Sequence, residues 1–153
     1  MRILDLSRAL RFLAIAAFAA ISFAAAAQEV AFKWSQVKVG PHPLKVELAV
    51  TEEQREHGLM FRKALGRDEG MVFVFDEPAY QSMWMKNTLI PLSVAFLDGE
   101  GRILNVLDMQ PRTLDTHTSA GPARYAIEAN IGWFERNRVK AGDKVTGLPP
   151  LAR

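Results

Sequence analysis

The stretch "LKVELAV" constrains this chain more than any other. Leu44, Val46, Leu48 and Val50 alternate with Lys45 and Glu47. That period of two gives an extended strand one apolar and one polar face. Immediately before it, Gly40-Pro41-His42-Pro43 breaks both regular periods. Phe32, Trp34, Val37 and Val39 read as a preceding strand, so the pair predicts a hairpin. The same grammar recurs downstream. "MVFVF" (71–75) is apolar on both faces, as a central strand is. "SMWMKNT" and "LIPLSVAFLD" come next, with Pro91 marking an edge or a bulge. "DGEG" (98–101) turns the chain into "RILNVLDM", and "ARYAIEA" alternates again. Short strands at regular spacing predict a mostly β, single-domain antiparallel β-sandwich or barrel.

One short α-helix interrupts the pattern. In "TEEQREHG", Thr51 stands at the N-cap with Gln54 three residues on, as in a capping box. Glu52 and Glu53 suit the positive end of the helix dipole, and Gly58 ends the helix. The stretch "NIGWFERNRVKAGDKV" (130–145) is expected to hold a short helical turn and a final hairpin.

Residues 1–27 read as a signal peptide. Arg2, Arg8 and Arg11 precede the uncharged run "FLAIAAFAAISFAAAA", and Ala25 and Ala27 fit an A-x-A cleavage site before Gln28. The run is short and Ala-rich against the ~20 residues of a spanning helix. Residues 28–153 then form the single β-rich domain, without a membrane span, in the periplasm or outside the cell. The leader holds three Arg and one Asp, so its removal takes the formal net charge from +2 to zero. The basic character of the precursor is therefore no argument for nucleic-acid binding. The absence of cysteine rules out disulfides and thiolate metal sites. His42, His57 and His117 lack metal-ligand spacing, and no cofactor is implied.

Read together, "REHGLMFR" (55–62), "GMVFVF" (70–75), "WMKNTLIPL" (84–92) and "PARYAIE" (122–128) carry a resemblance. In that order and at those separations they resemble the bacterial and archaeal family known as domain of unknown function 192, over roughly Leu44 to Val145. The resemblance implies a compact, mostly β fold with a short helix, often behind an export signal, and no established activity. The family usually has an Asp after I-P-L, where this chain has Ser93.

The polar trio Lys86-Asn87-Thr88 inside an apolar run marks the candidate site. Taken as a strand, it points Trp84, Lys86 and Thr88 to one side and Asn87 to the other. An inward Lys86 needs a partner, because an isolated buried charge costs several kcal/mol. Glu128 is the expected partner, with Arg55 and Arg62 as further cations. A functional reading gathers Arg55, Arg62, Trp84, Lys86, Asn87, Thr88, Ser119 and Glu128 around one hollow for a small anionic or sugar-like ligand. A structural reading makes the trio a latch that fixes register.

These readings support three functions. The foremost is a small-ligand-binding module of the cell envelope. The second is an envelope accessory protein with an exposed apolar patch around Trp133 and Phe134. The third is a hydrolase with Lys86 as base and Ser119 or Thr88 as nucleophile.

Overall fold

The computed structural model describes residues 30–151; the expected signal peptide, residues 1–27, lies outside them. The predicted hairpin forms between β1 (Lys33–Val39) and β2 (His42–Ala49), antiparallel, with Val39 opposite His42. Its turn needs only Gly40-Pro41. Gly40 sits at φ 59°, a left-handed conformation that a glycine adopts without steric cost.

Helix α1 (Glu52–His57) comes next and is capped as its sequence requires. The Thr51 hydroxyl accepts from the Gln54 amide at 3.2 Å, and the Gln54 side chain accepts from the Thr51 amide at 3.2 Å. Helix α1 has six residues and buries none of them, so it depends on what its side chains hold elsewhere. The rest of the chain adds β3 (Glu69–Ala79), β4 (Ser82–Met83), β5 (Leu92–Leu97), β6 (Ile103–Met109), β7 (His117–Thr118) and β8 (Ala123–Asn130). A one-turn helix, α2 (Trp133–Arg136), and β9 (Val145–Thr146) complete it.

Seven strands form one curled sheet in the order β6-β5-β8-β3-β2-β1-β9, and β4 pairs with β7 apart from it. Neighbours are antiparallel except β2 and β3, which run parallel. A parallel pair requires a crossover, and α1 with the loop after it provides one. The sheet's two edges meet at one end, where Ile103 donates to Asp143 at 3.0 Å and Val145 donates to Gly101 at 2.8 Å. The curl is a half-barrel closed at that end, which leaves little edge exposed to other chains.

Both faces of the sheet are covered. One packs Val37, Val46, Val72, Ala95 and Ile127 beneath Trp133 and Phe134 of α2. The other packs Met71, Phe73, Val94, Phe96 and Ala126 beneath Leu59 and Met85, which come from loops. This explains why β3 and β5 are apolar on both faces. Among the described residues no helix is long and apolar enough to cross a membrane.

Three local expectations are corrected. Trp133 and Phe134 are each 1% exposed, and the Trp133 indole donates to Asp68 at 2.9 Å, so they plug the core and form no surface patch. Glu47 does not face solvent; it is 6% exposed, on the loop-covered side. The strand expected over 82–88 ends at Met83, and the chain turns over the residues after it.

Candidate functional site

That turn explains why Lys86 and Asn87 interrupt an apolar run. The Thr88 amide donates to the Met85 carbonyl at 3.1 Å, closing a four-residue turn with Lys86 and Asn87 at its corners. Asn87 has φ 56°. A positive φ at the third residue alone is the type II pattern, which favours Gly or Asn there. Met85 and Thr88 are buried, while Lys86 and Asn87 are exposed. The turn also ties neighbouring segments together. The Asn87 carbonyl accepts from the Phe61 amide at 2.9 Å, and Met85 donates to Thr113 at 3.1 Å.

Beneath this junction lies a pocket of about 430 Å³. Its wall comes from Phe73 and Phe75 on β3 and from Met83, Trp84 and Thr88. Its mouth comes from α1 and the residues after it, with Glu52, Arg55, Glu56 and Asp76 around it, and its floor is Glu128. Strand alternation sends Tyr125, Ile127 and Ala129 to the plugged face of β8, which leaves Glu128 on the loop-covered face between Met71 and Val94 of the adjacent strands. Glu128 is 4% exposed. Among the described residues no hydrogen bond or ion pair reaches its carboxyl group. Burial pushes its pKa up to about 8, because a charge there loses its hydration and gains no partner. At neutral pH it is mostly the neutral acid.

Four of the eight expected residues line this pocket: Arg55, Trp84, Thr88 and Glu128. Lys86 and Asn87 line a neighbouring hollow of about 510 Å³ that shares Glu56, His57, Met60 and Trp84 with this pocket. Arg62 and Ser119 line neither.

The cations do not gather around Lys86, and Glu128 does not pair with it. Arg55 donates to the Val50 and Val74 carbonyls, each at 2.9 Å, and pairs with Asp76 at 2.9 Å. It thereby clamps α1 to the point where β3 loses register with β8. Arg62 pairs with Glu47. The Lys86 ammonium stands in solvent, 5.6 Å from the Trp84 ring centroid. Ser119 donates to the Gly121 carbonyl at 2.8 Å and accepts from the Gln81 amide at 3.0 Å, so its hydroxyl is engaged on both sides.

The residue at the position where the family usually has Asp is also placed. Ser93 sits opposite Asp108 and hydrogen-bonds it, and accepts from the Gly132 amide at 2.8 Å. Along β5 it alternates away from Leu92 and Val94, which pack on the loop-covered face, so it lies across the sheet from Glu128.

The sequence reading missed Glu52, Glu56 and Asp76 as pocket groups. Glu52 and Glu56 were readable as an i, i+4 pair on one helix face. Asp76 had no signal, because its position depends on the β3 irregularity. The acids around the pocket do not converge into a group able to hold a metal ion, among the described residues.

Comparison with known proteins places this architecture. A protein of Sinorhizobium meliloti 1021, named as a candidate transcription regulator, has a solved structure that superimposes with a TM-score of 0.74 at 37% identity, over 78% of this chain and 97% of that one. A protein of unknown function from Novosphingobium aromaticivorans DSM 12444 gives a TM-score of 0.69 at 32% identity, over 78% of this chain and 88% of that one. Among curated proteins none matches the chain. Residues 35–147 match the family DUF192, described as "Uncharacterized ACR". With most of its described residues inside that match, and with the four motifs on the elements described above, the chain belongs to the DUF192 family.

Proposed function

We propose that this chain is an exported binding module of the cell envelope that takes a small polar molecule into the pocket above Glu128. The observation that carries the proposal is the carboxyl group itself. A glutamate that is 4% exposed, without a partner, at the floor of a 430 Å³ pocket is costly to the fold. A buried polar group of that kind, facing a concave space with aromatic walls, is the usual arrangement of a small-molecule site. The half-exposed Trp84 ring at the edge offers a face for a ligand to stack on. An anionic ligand loses its support, because Arg55 and Arg62 are committed to Asp76 and Glu47. Nucleic acid is not proposed, since acidic side chains ring the pocket. A protein-interaction role loses the Trp133–Phe134 surface on which it was to rest.

The test is a thermal-shift screen of the chain from Gln28 onward against neutral sugars, organic acids and amines. A ligand at a hundredfold excess over its Kd stabilises the native state by ~2.7 kcal/mol, which moves Tm by several degrees. Trp84→Ala, at a half-exposed site, is expected to keep the parent Tm and lose most of the ligand-induced shift. A full shift in Trp84→Ala, or none with any compound in the panel, removes the pocket as the site. Export is tested separately by N-terminal sequencing of the protein from its native host. A chain beginning at Gln28 in the envelope fraction supports it; an intact leader on cytoplasmic protein overturns it.

A further inference from the structure

We infer that the ligand of this pocket is an organic ammonium ion, a primary or secondary amine whose nitrogen docks on Glu128 while its carbon skeleton lies against Trp84 and Phe75. The inference rests on the binding-module reading and names the ligand class. It starts from the charges that face the pocket. From α1 come Glu52, Glu56, Arg55 and His57; from β3 comes Asp76; the floor is Glu128. The Arg55 guanidinium is consumed by Asp76 and two carbonyl oxygens. Lys86 lines the neighbouring hollow, not this one. The balance left over at the mouth is negative, from Glu52 and Glu56, and beneath it lies the mainly uncharged carboxyl group of Glu128.

Acids at the mouth and an aromatic wall favour the same kind of guest. Aromatic faces attract cations through the ring quadrupole, most strongly for Trp and when the cation is desolvated. A carboxylate ring at a low-dielectric cleft draws cations in and repels anions. A bare metal ion does not meet the arrangement, because the acids are spread around the pocket rather than converging. A molecule with one charged nitrogen and several apolar carbons does. It gives Glu128 the partner that the fold withholds, and it covers Phe75, Met83 and the Trp84 face.

The chemistry is a proton exchange without any other bond change. The free pocket holds Glu128 mainly as the acid below pH 8. An ammonium ion entering there forms an ion pair with the carboxylate, and the carboxyl proton leaves to solvent. Below that pH, affinity therefore rises roughly tenfold per pH unit, then levels off. A neutral sugar accepting from the protonated acid shows the opposite sign, losing affinity above pH 8.

The experiment is calorimetric titration of the chain from Gln28 onward with n-hexylamine and 2-phenylethylamine. n-Hexanol, glucose and hexanoate are the comparison ligands, at pH 6, 7 and 8.5, in two buffers of different ionisation enthalpy. The expected result is amine binding that tightens about tenfold from pH 6 to 7 with release of about one proton. Glu128→Gln is expected to weaken it at least thirtyfold and to remove the proton release. The exposed double substitution Glu52→Gln/Glu56→Gln, which leaves the core untouched, is expected to weaken it several-fold. Amine binding of unchanged strength and pH dependence in Glu128→Gln overturns the assignment, and so does an unchanged affinity in the double variant. Binding of glucose or hexanoate at a Trp84-dependent site, without amine binding, overturns the ligand class and leaves the binding module standing. Silence from every compound ends both.

Discussion

Two glutamates lie in one row across the sheet, Glu47 on β2 and Glu128 on β8, with Met71 of β3 between them. Both point to the loop-covered face, and both are nearly inaccessible, at 6% and 4%. They differ in their company. Loop residue Arg62 reaches Glu47, and among the described residues no cation reaches Glu128. Burial is thus the same burden at both places, but only one is relieved within the chain. A paired buried acid fastens the 58–65 segment to the sheet. An unpaired one beneath a cavity carries its burial unrelieved, and it is the group on which the proposed binding role rests. The distinction could not be drawn from burial alone; it needs the identity of the nearest opposite charge.

The largest expected effect that breaks or sharpens this contrast is on stability against pH. The folded chain holds Glu128 protonated up to about pH 8, whereas the unfolded chain releases that proton near the ordinary glutamate value. Between those two values the native state binds more protons, so stability falls as pH rises. The fall approaches ~4 kcal/mol from pH 4.5 to 8, read as the urea midpoint. Glu128→Gln is expected to flatten that slope. Glu69 works with the opposite sign. Its pKa is lowered, chiefly by the hydrogen bond from Lys45, so its small contribution is lost as pH falls. A parent slope that persists in Glu128→Gln would remove the buried acid as its source.

Next in size is the paired acid. Arg62→Met leaves Glu47 without its cation and is expected to lower stability by about 2–3 kcal/mol at pH 7, less than a fully enclosed pair because Arg62 is 30% exposed. Glu47→Gln in the same background is expected to restore over half of that loss. If Arg62→Met unfolds at the parent urea concentration, the two glutamates are not different in kind.

The smallest concerns the turn that joins the loops above both acids. Asn87→Ala places an alanine at φ 56° and is expected to cost about 1 kcal/mol, while Asn87→Gly is close to neutral. Equal Tm values for the two variants would argue against the left-handed corner.

The parts that were legible in the sequence are those decided locally. The Thr51–Gln54 cap, the Gly40-Pro41 hairpin and the doubly apolar β3 each depend on spacing within a few residues. The turn at 85–88 was misread as strand because its flanks, Trp84–Met85 and Leu89–Ile90, are as apolar as a strand's. The Asn at the third residue of the turn was the missed signal. Of the four expected residues that line the pocket, only Glu128 follows from alternation, since it takes its face from β8; Trp84 and Thr88 lie there through the turn instead of the expected strand. The destinations of Arg55 and Arg62 were not readable. Each cation reaches an acid on a different strand, and such partners are set by how β2 and β3 come to run parallel. Glu47 illustrates the same limit, for alternation told correctly which face it takes but not that loops cover that face.

The hydrogen bond from the Phe61 amide to the Asn87 carbonyl joins the segment at the pocket mouth to the segment that carries Trp84. Phe61 itself is held at φ 63°, a conformation its side chain disfavours. Parting these two segments breaks this bond and releases that local tension, while the Arg55 clamp still holds α1 to β3. The exchange of a single amide proton for deuterium, at Phe61, is therefore expected to report how often these two segments part.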